Sequence, residues 1–327
     1  MPITGLNHVG LSTPDMARTL AFYRDGLGFS EIVSFSWEAG TPGADAGLGL
    51  KDTAAEISVL IAGNAYLEVL HFKNPVPIYF DQPPTLNRQG ISHIGLSVRE
   101  IPTAVELITS LGGGVIDQST QTSQLVTDPD GNIIELHVDS AHDPLNYQAL
   151  RTVVPAVSTG KPNAFTSPSR SVVTGLSFAG VTAVNAQELM DFYQVAGIHS
   201  THSHQWSSPA EAQRAGQVAL GSGASHVLDL SNAYLEILEP ARANVLGKPA
   251  SARIIEYGFN HLCFDVADIA STHGDLSAVG MRCFADWTNM PGGTSAMGYA
   301  LDPAGNPIEL LQHLSASSLM WPGHLSI

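Results

Sequence analysis

The chain lacks several features that would place it in whole classes of protein. Only 14 of its 327 residues are Lys or Arg, against 30 Asp or Glu, and the net charge of −16 argues against a nucleic-acid partner because it repels phosphate backbones. No apolar run reaches the roughly 18 residues of a membrane span. Residues Met1–Gly5 show neither a basic segment nor an apolar signal core, which favours the cytoplasm.

Cysteine is also scarce. Cys263 and Cys283 are the only two, 20 residues apart and without Cys-x-x-Cys spacing, so we expect neither a disulfide framework nor a thiolate zinc site. Cys263 follows His261 by two residues, so both side chains would share one face of a strand. Hydrophobic residues make up 44% of the chain, which is typical of a folded protein, and the length predicts about two domains.

Internal repetition is the strongest signal in the chain. The segment Asn64–Leu70 (NAYLEVL) recurs 168 residues later as Asn232–Leu238 (NAYLEIL), and Asp128–Leu136 (DPDGNIIEL) recurs 174 residues later as Asp302–Leu310 (DPAGNPIEL). Each half is itself double, because Gly5–Ser12 (GLNHVGLS) resembles Gly90–Ser97 (GISHIGLS). Four similar modules therefore follow one another.

Each module predicts one strand, one helix and three further strands, an α+β pattern. In the first module, alternation over residues 5–12 indicates a strand, Asp15 is a candidate helix cap, and Gly28 ends the helix. Two domains are expected at 1–140 (modules about 4–72 and 90–140) and 173–315 (modules about 174–240 and 258–313). A Pro-containing linker at 141–172 joins them, and a tail occupies 316–327. The Gly- and Ala-rich stretch 41–53 and its counterpart near 207–223 are loops that could cover a cavity or could equally be plain hairpin insertions.

Histidine and glutamate recur at equivalent places in the four modules. The first strands offer His8, His93, Phe178 and His261, and the last strands offer Glu68, Glu135, Glu236 and Glu309. Each glutamate interrupts an apolar strand, where an isolated carboxylate is costly unless it is paired or bound to a metal. Converging His and Glu side chains suit Zn, Ni, Co, Mn or Fe(II) rather than calcium.

Three motifs together resemble the vicinal-oxygen-chelate superfamily, which includes glyoxalases, bleomycin-resistance proteins and extradiol dioxygenases. These motifs are His-x-Gly-Leu in the opening strand, Phe-Tyr … Leu-Gly-Phe at the helix exit, and Asp-Pro-x-Gly-Asn-x-x-Glu-Leu at the end. The resemblance implies four βαβββ modules that form two cupped mixed β-sheets, with metal ligands from the first and last strands of each module.

Carried over by position, the resemblance implies one complete metal site formed by His8, Glu68, His93 and Glu135, a set that looks like bacterial glyoxalase I. The second half would keep Glu236, His261 and Glu309 in a degenerate site, because Phe178 cannot bind a metal. A second pairing is equally open. If module one pairs with four and two with three, the complete site becomes His8, Glu68, His261 and Glu309.

The function that the resemblance implies is a metal-dependent isomerase, epimerase or lyase. One divalent metal per chain would stabilise an enediolate of a small hydroxyketone or cyclitol ketone, with Glu135 and then Glu68 as the general base. His137 and Tyr299 are candidates for the substrate pocket. The alternatives are an Fe(II) extradiol-type ring-cleavage dioxygenase and a non-catalytic binding or resistance protein. With four modules in one chain, either a monomer or a homodimer is expected.

Overall fold

We describe a computed structural model of the chain. It describes residues 2–41, 43–77, 84–119, 123–138, 171–207, 222–247, 254–290 and 292–320. Most of the predicted linker 141–172, the end of the predicted tail and the centre of the predicted loop at 207–223 lie outside these ranges. None of the helices in the described ranges is long and apolar enough to cross a membrane.

The first two modules follow the predicted order of elements. Module one contains β1 (Ile3–Ser12), α1 (Met16–Leu20, continued as a π-helical turn over Ala21–Gly26), β2 (Ser30–Trp37), α2 (Ala44–Leu48), β3 (Ala54–Ala62) and β4 (Ala65–Asn74). Module two contains β5 (Gly90–Val98), α3 (Ile101–Ser110), β6 (Gly114–Ser119), β7 (Ser123–Thr127) and β8 (Ile133–Val138).

The last two modules repeat this order. Module three contains β9 (Val173–Thr182), α4 (Ala186–Val195), β10 (Ser200–Trp206), β11 (Gly223–Asp229) and β12 (Tyr234–Pro240). Module four contains β13 (Gly258–Val266), α5 (Ile269–Ala278), β14 (Arg282–Cys283), β15 (Thr288–Asn289), β16 (Ser295–Leu301) and β17 (Pro307–His313). The predicted α+β fold of four βαβββ modules is confirmed.

Short polar side chains start the helices, as the sequence predicts for Asp15. The Asp15 carboxylate accepts a hydrogen bond from the backbone N–H of Arg18 at 3.0 Å. Asn185 and Asp268 cap α4 and α5 in the same way. Each cap satisfies a backbone donor that the first helical turn leaves without a partner.

The strands form two sheets, and each sheet combines modules from both halves of the chain. The first sheet has the order β14-β16-β17-β13-β1-β4-β3-β2, with β15 beside β16, and therefore joins modules one and four. The second has the order β10-β11-β12-β9-β5-β8-β7-β6 and joins modules two and three. The expectation that 1–140 forms one sheet domain and 173–315 the other is corrected here, because the modules exchange.

Modules one and two, and likewise modules three and four, meet through helices and turns instead of through a shared sheet. The hydroxyl of Tyr23 in module one donates to Asp128 Oδ2 of module two at 3.0 Å, and Tyr193 donates to Asp302 at 3.2 Å in the same arrangement between modules three and four. The largest apolar core includes residues of all four modules, with the four aromatic side chains of the paired Phe-Tyr sequences fully buried. Burial of this apolar surface is the main stabilising term.

The repeated asparagines fasten one sheet to the other. Asn232 of module three accepts from the backbone N–H of Leu6 and donates to the Leu6 carbonyl, each at 2.8 Å. Asn64 of module one makes the equivalent pair of bonds with Leu176. These buried amides explain why the Asn-Ala-Tyr-Leu-Glu sequence recurs: its asparagine joins the sheets and its glutamate faces a cup.

Each sheet has a second face that forms a cup. The cup of the first sheet is lined mainly by apolar side chains: Ile57, Val59, Ile61, Tyr66, Leu70, Phe72, Ile254, Ile255 and Tyr299. Leu48 of α2 packs into this cluster, so the predicted loop at 41–53 does cover the first cup. The cup of the second sheet has a smaller apolar cluster: Leu86, Leu125, Ile133, Trp206 and Leu238.

Candidate metal centre

Two histidines meet where β1 and β13 run antiparallel in the middle of the first sheet. Gly10 lies opposite His261, and His8 lies opposite Cys263. The two Nε2 atoms are 3.0 Å apart, and the rings meet edge to face with centroids 5.0 Å apart. A Cβ at position 10 would lie 2.1 Å from the His261 ring, so only glycine leaves room for this imidazole.

Two glutamates from the flanking parallel strands complete the set. Glu68 on β4 pairs with Gly10, and Glu309 on β17 pairs with Cys263. Glu68 Oε2 lies 3.6 Å from His8 Nε2 and 3.4 Å from His261 Nε2. Glu309 Oε2 lies 3.3 Å from His8 Nε2 and 3.6 Å from His261 Nε2. All four side chains are buried.

The spacing of these four donors fits a divalent metal ion. Ligands held at about 2.1 Å from one ion lie about 3.0 Å apart in octahedral geometry and about 3.4 Å apart in tetrahedral geometry. The histidine-to-histidine and histidine-to-glutamate separations of 3.0–3.6 Å lie within about 0.2 Å of this range. The ligand atoms of His8, His261 and Glu309 all lie within 4.8 Å of one another, and Glu68 approaches both histidines from the other flanking strand. Glu68 Oε2 and Glu309 Oε2 are buried, and neither accepts a well-directed hydrogen bond within the described part of the chain. Two such carboxylate oxygens beside two imidazoles are a favourable site for a cation.

Asparagines orient both imidazoles toward the centre. Asn7 Nδ2 donates to Asp265 Oδ1 at 2.8 Å and to the carbonyl of Met320 at 3.1 Å, so Asn7 Oδ1 accepts from His8 Nδ1 at 2.9 Å. Asn260 Oδ1 lies 2.8 Å from His261 Nδ1. With the proton of a neutral imidazole on Nδ1, each Nε2 presents its lone pair inward, as a metal ligand must.

A series of buried polar contacts extends from His8 to Ser318, near the end of the described residues. Asp265 Oδ1, fully buried, lies 2.9 Å from His313 Nε2, and His313 Nδ1 lies 2.7 Å from Ser318 Oγ. The second sheet has only a short contact between Ser97 and Ser177, at 2.6 Å, in the place of Asp265 and Asn7. Sequence reasoning missed this series of contacts, although an asparagine precedes the histidine at both Asn7 and Asn260.

Neighbouring charges set the protonation of the first cup. Burial by itself favours neutral His8, but the charges of Glu68 and Glu309 outweigh it and raise its pKa. Burial would raise the pKa of Glu68, yet His8 and the contact with His261 lower it. In the absence of an ion, the carboxylates thus hold a proton on a histidine. A bound metal would replace this proton.

Tyr299 and Cys263 both contact Glu309. Burial, and then the charge of Glu309, raises the pKa of the Tyr299 hydroxyl and of the Cys263 thiol, so both keep their protons beside that carboxylate, which lies opposite them in the sheet. The Tyr299 ring also packs edge to face on His261 at 5.5 Å. Sequence reasoning placed Tyr299 in a substrate pocket, and the structure puts it beside Glu309 in the first cup.

The second cup keeps three of the four donor positions. His93 Nε2 lies 3.2 Å from Glu236 Oε2 and 3.7 Å from Glu135 Oε2. Phe178 takes the place of the second histidine, with its ring 5.3 Å from that of His93. His137 lies in this cup and not in the first, with Nε2 3.3 Å from Glu135 Oε1. Burial, and then the charge of His93, lowers the pKa of His137 to about 3.

The predicted ligand sets are therefore redistributed. The structure does not bring His8, Glu68, His93 and Glu135 together, because β1 pairs with β13 and β5 pairs with β9. His8 and Glu68 join His261 and Glu309, which is the exchanged pairing left open above. The set Glu236, His261 and Glu309 is also divided, since Glu236 lies with His93 and Glu135 in the second cup.

Comparisons with known proteins agree with this geometry. Residues 5–136 match the model of the Glyoxalase/Bleomycin resistance protein/Dioxygenase superfamily. This match covers modules one and two, which therefore resemble members of this superfamily. The resemblance supports a vicinal-oxygen-chelate metalloenzyme in general terms, without defining its reaction. A search of curated proteins found no match.

Solved structures show that the likeness in fold extends over the whole chain. Glyoxalase I from Zea mays superposes with a TM-score of 0.61 at 13% identity, covering 94% of this chain and 92% of that one. A Bacillus subtilis protein provisionally described as a dioxygenase gives a TM-score of 0.63 at 8% identity, covering 100% of this chain and 92% of that one. At these identities the likeness shows the fold alone.

Proposed function

We propose that this protein is a divalent-metal-dependent isomerase, epimerase or lyase that moves a proton on a small substrate with two neighbouring oxygens. The observation that carries the proposal is the convergence of four buried donors, from His8, Glu68, His261 and Glu309, in the first cup. A purely binding role of the bleomycin-resistance kind would not require four such donors.

The four residues would hold the ion, and the chain's carboxylates would handle the proton. A bound divalent ion supplies Lewis acidity to two substrate oxygens and acidifies the neighbouring C–H bond. Glu309 has two protonated neighbours, Tyr299 and Cys263, in addition to the histidines, whereas the interactions that set the pKa of Glu68 come from His8 and His261. Glu68 is therefore the carboxylate with fewer neighbours to hold it, and in its ionised form it can accept a proton.

This assignment changes the order of the candidate bases. Glu135, the first candidate from the sequence, lies in the second cup, more distant from the complete donor set than Glu68 is. Glu68 becomes the proposed general base, and Glu309 becomes a ligand fixed by its neighbours.

The lining of the first cup favours a neutral substrate. Its apolar cluster includes Tyr66, Phe72 and Tyr299, and no Lys or Arg is among the buried residues that the structure describes. An anionic substrate or a glutathione conjugate would find no buried cationic partner there. A hydroxyketone or cyclitol ketone meets both requirements, since it is neutral and offers two adjacent oxygens.

Hydrogen–deuterium exchange at the substrate tests the proposal directly. Protein loaded separately with Zn, Ni, Co or Mn is incubated with hydroxyketones in deuterated water, and NMR follows the C–H next to the carbonyl. Glu68→Gln should lose exchange by roughly 100-fold or more, the scale of general-base catalysis, while elemental mass spectrometry in a Glu236→Gln background still finds metal. Glu239→Gln, at a partly exposed residue that pairs with His226 and is not among the donors of either cup, is the control. Exchange at the normal rate in Glu68→Gln would remove Glu68 as the base, and no exchange with any metal would overturn the isomerase proposal.

An Fe(II) ring-cleavage dioxygenase is the second candidate. The observation that favours it is the protonated Tyr299 hydroxyl beside Glu309, in a cup with aromatic walls that suits a catechol. Anaerobic loading with Fe(II), followed by oxygen-uptake measurements with catechols, tests this candidate. Oxygen consumption that Tyr299→Phe reduces would favour it over the isomerase, and no uptake would exclude it.

A further inference from the structure

The second cup contains a group of donors, His93 and Glu135 buried and Glu236 partly buried, that the reaction proposed above does not use. His93 Nε2 and Glu236 Oε2 are 3.2 Å apart, and neither atom makes a hydrogen bond within the described ranges. The ligand atoms of His93, Glu135 and Glu236 all lie within 4.8 Å of one another. His93 is completely buried, so its ring nitrogen cannot be satisfied by bulk water.

The tautomer of His93 is prepared for metal binding by a different residue from that in the first cup. Ser92 Oγ donates to the carbonyl of Gly180 at 3.3 Å and therefore accepts from His93 Nδ1 at 3.0 Å. The proton is thereby placed on Nδ1, and Nε2 presents its lone pair to Glu236 and Glu135. Gly180 makes room for the His93 ring, because a Cβ there would lie 2.0 Å away from it.

His137 is specific to this cup. The other three modules have leucine two residues after the glutamate, at Leu70, Leu238 and Leu311. His137 shares a strand face with Glu135, packs edge to face on Phe178 at 5.3 Å, and places Nε2 3.3 Å from Glu135 Oε1. Its imidazole therefore lies beside one oxygen of Glu135, while the other oxygen, Oε2, lies 3.7 Å from His93 Nε2.

The geometry points to a second divalent metal site, in which His93, Glu135 and Glu236 are the ligands and His137 is the positioning residue that holds Glu135. Two carboxylates balance the charge of a divalent ion, and one imidazole completes a facial set of donors that suits a first-row metal such as Zn, Co or Mn. In the second cup, Phe178 occupies the position that holds the fourth protein ligand in the first cup, so three protein ligands remain. The expected content is thus two ions per chain, against the single ion that the sequence implies.

Metal titration of the whole chain separates the two cups. Chelator-treated protein is titrated with Co(II), followed by visible absorption, and Zn content is measured by elemental mass spectrometry after gel filtration. We expect two ions for the unchanged protein, one for Glu236→Gln and one for Glu309→Gln. Glu239→Gln, at a partly exposed residue on the same strand as Glu236, is the matched control and should keep both. Retention of the other ion shows that each variant is folded.

The role of His137 has its own readout. His137→Leu should weaken the second site roughly 10–100-fold, as loss of a residue that orients a ligand does, without changing the first. His137→Gln, which keeps a donor near Glu135, should restore part of the affinity. Phe178→His should tighten the second site by adding a fourth ligand. Equal affinity in His137→Leu and the unchanged protein would remove His137 from the site.

Each titration result has a distinct meaning for the two cups. One ion that is lost in Glu309→Gln and kept in Glu236→Gln overturns the second site and leaves the proposed function standing. One ion with the opposite behaviour upholds the second site and overturns the proposed first one. No bound ion in any form overturns both.

Discussion

Gly10→Ala is the sharpest test of how the modules pair. In the exchanged arrangement, Gly10 of module one supports the ring of His261 from module four. An added Cβ would lie 2.1 Å from Cε1 and Nδ1 of that ring, whereas ordinary contact begins at 3.4 Å, so the ring must retreat by about 1.3 Å. Asn260 Oδ1, 2.5 Å from the same point, would be displaced as well.

This displacement is large compared with a metal–ligand bond of about 2.1 Å. Loss of one of four ligands should weaken metal binding at the first cup by roughly 100-fold or more, since disturbing a residue that merely orients a ligand already costs 10–100-fold. Overpacking should lower the free energy of unfolding by about 1–3 kcal/mol in addition. The affinity is best measured by competition with a chromophoric chelator in a Glu236→Gln background, which restricts binding to the first cup.

Gly180→Ala is the matched control, since its Cβ would lie 2.0 Å from the His93 ring of the second cup. It should leave metal binding at the first cup intact. If Gly10→Ala bound metal there as tightly as the unchanged protein, the contact between modules one and four would be refuted. A first-cup defect in Gly180→Ala would refute the separation of the two cups.

Three other features give measurable outcomes. Asp265→Asn should weaken first-cup metal binding by roughly 10–100-fold, because it disturbs Asn7 and through it His8. Ser97→Ala, at the equivalent position in the second sheet, should not weaken it. Equal effects of the two variants in a chelator competition would refute the role of Asp265. Asn232→Ala removes buried hydrogen bonds between the sheets and should lower the free energy of unfolding by about 1–3 kcal/mol in urea titrations; an unchanged midpoint would contradict it. Burial raises the pKa of Asp128 to about 6, so a carbon-13 NMR titration should show its midpoint there. Because the folded state holds this proton more tightly, stability should fall by up to about 3 kcal/mol as pH rises from 4 through 6, and a midpoint near 4 would refute the effect.

The local structure of each module is predictable because its signals are local. Strand alternation over 5–12, the Asp15 cap and the repeated Asp-Pro-x-Gly-Asn turn all act within a few residues, and the structure has the expected elements at these places. The same alternation places each glutamate on a fixed face of its strand. The sequence therefore identifies the donor residues, but it does not identify the residues that lie beside them.

The residues that orient the donors were harder to predict. Asp265 and His313 contact Asn7, which in turn orients His8, and 258 positions separate Asn7 from Asp265. Nothing in the strand pattern of module four distinguishes Asp265 from a solvated polar residue. The sequence shows that His137 shares a strand face with Glu135. The cup in which His137 lies depends on the sheet that β8 joins.

By itself the sequence determined the modules, their order of elements, and the set of histidines and glutamates that face inward. Only the tertiary structure decided which module supplies the other half of each cup. Backbone hydrogen bonds along β1 or β5 are the same whichever first strand lies beside them, so they do not distinguish between partners. That choice depends on long-range side-chain contacts, such as Asn232 with Leu6, Tyr23 with Asp128, and a glycine beneath each opposing ring. Those contacts place His261 beside His8, and Phe178 beside His93.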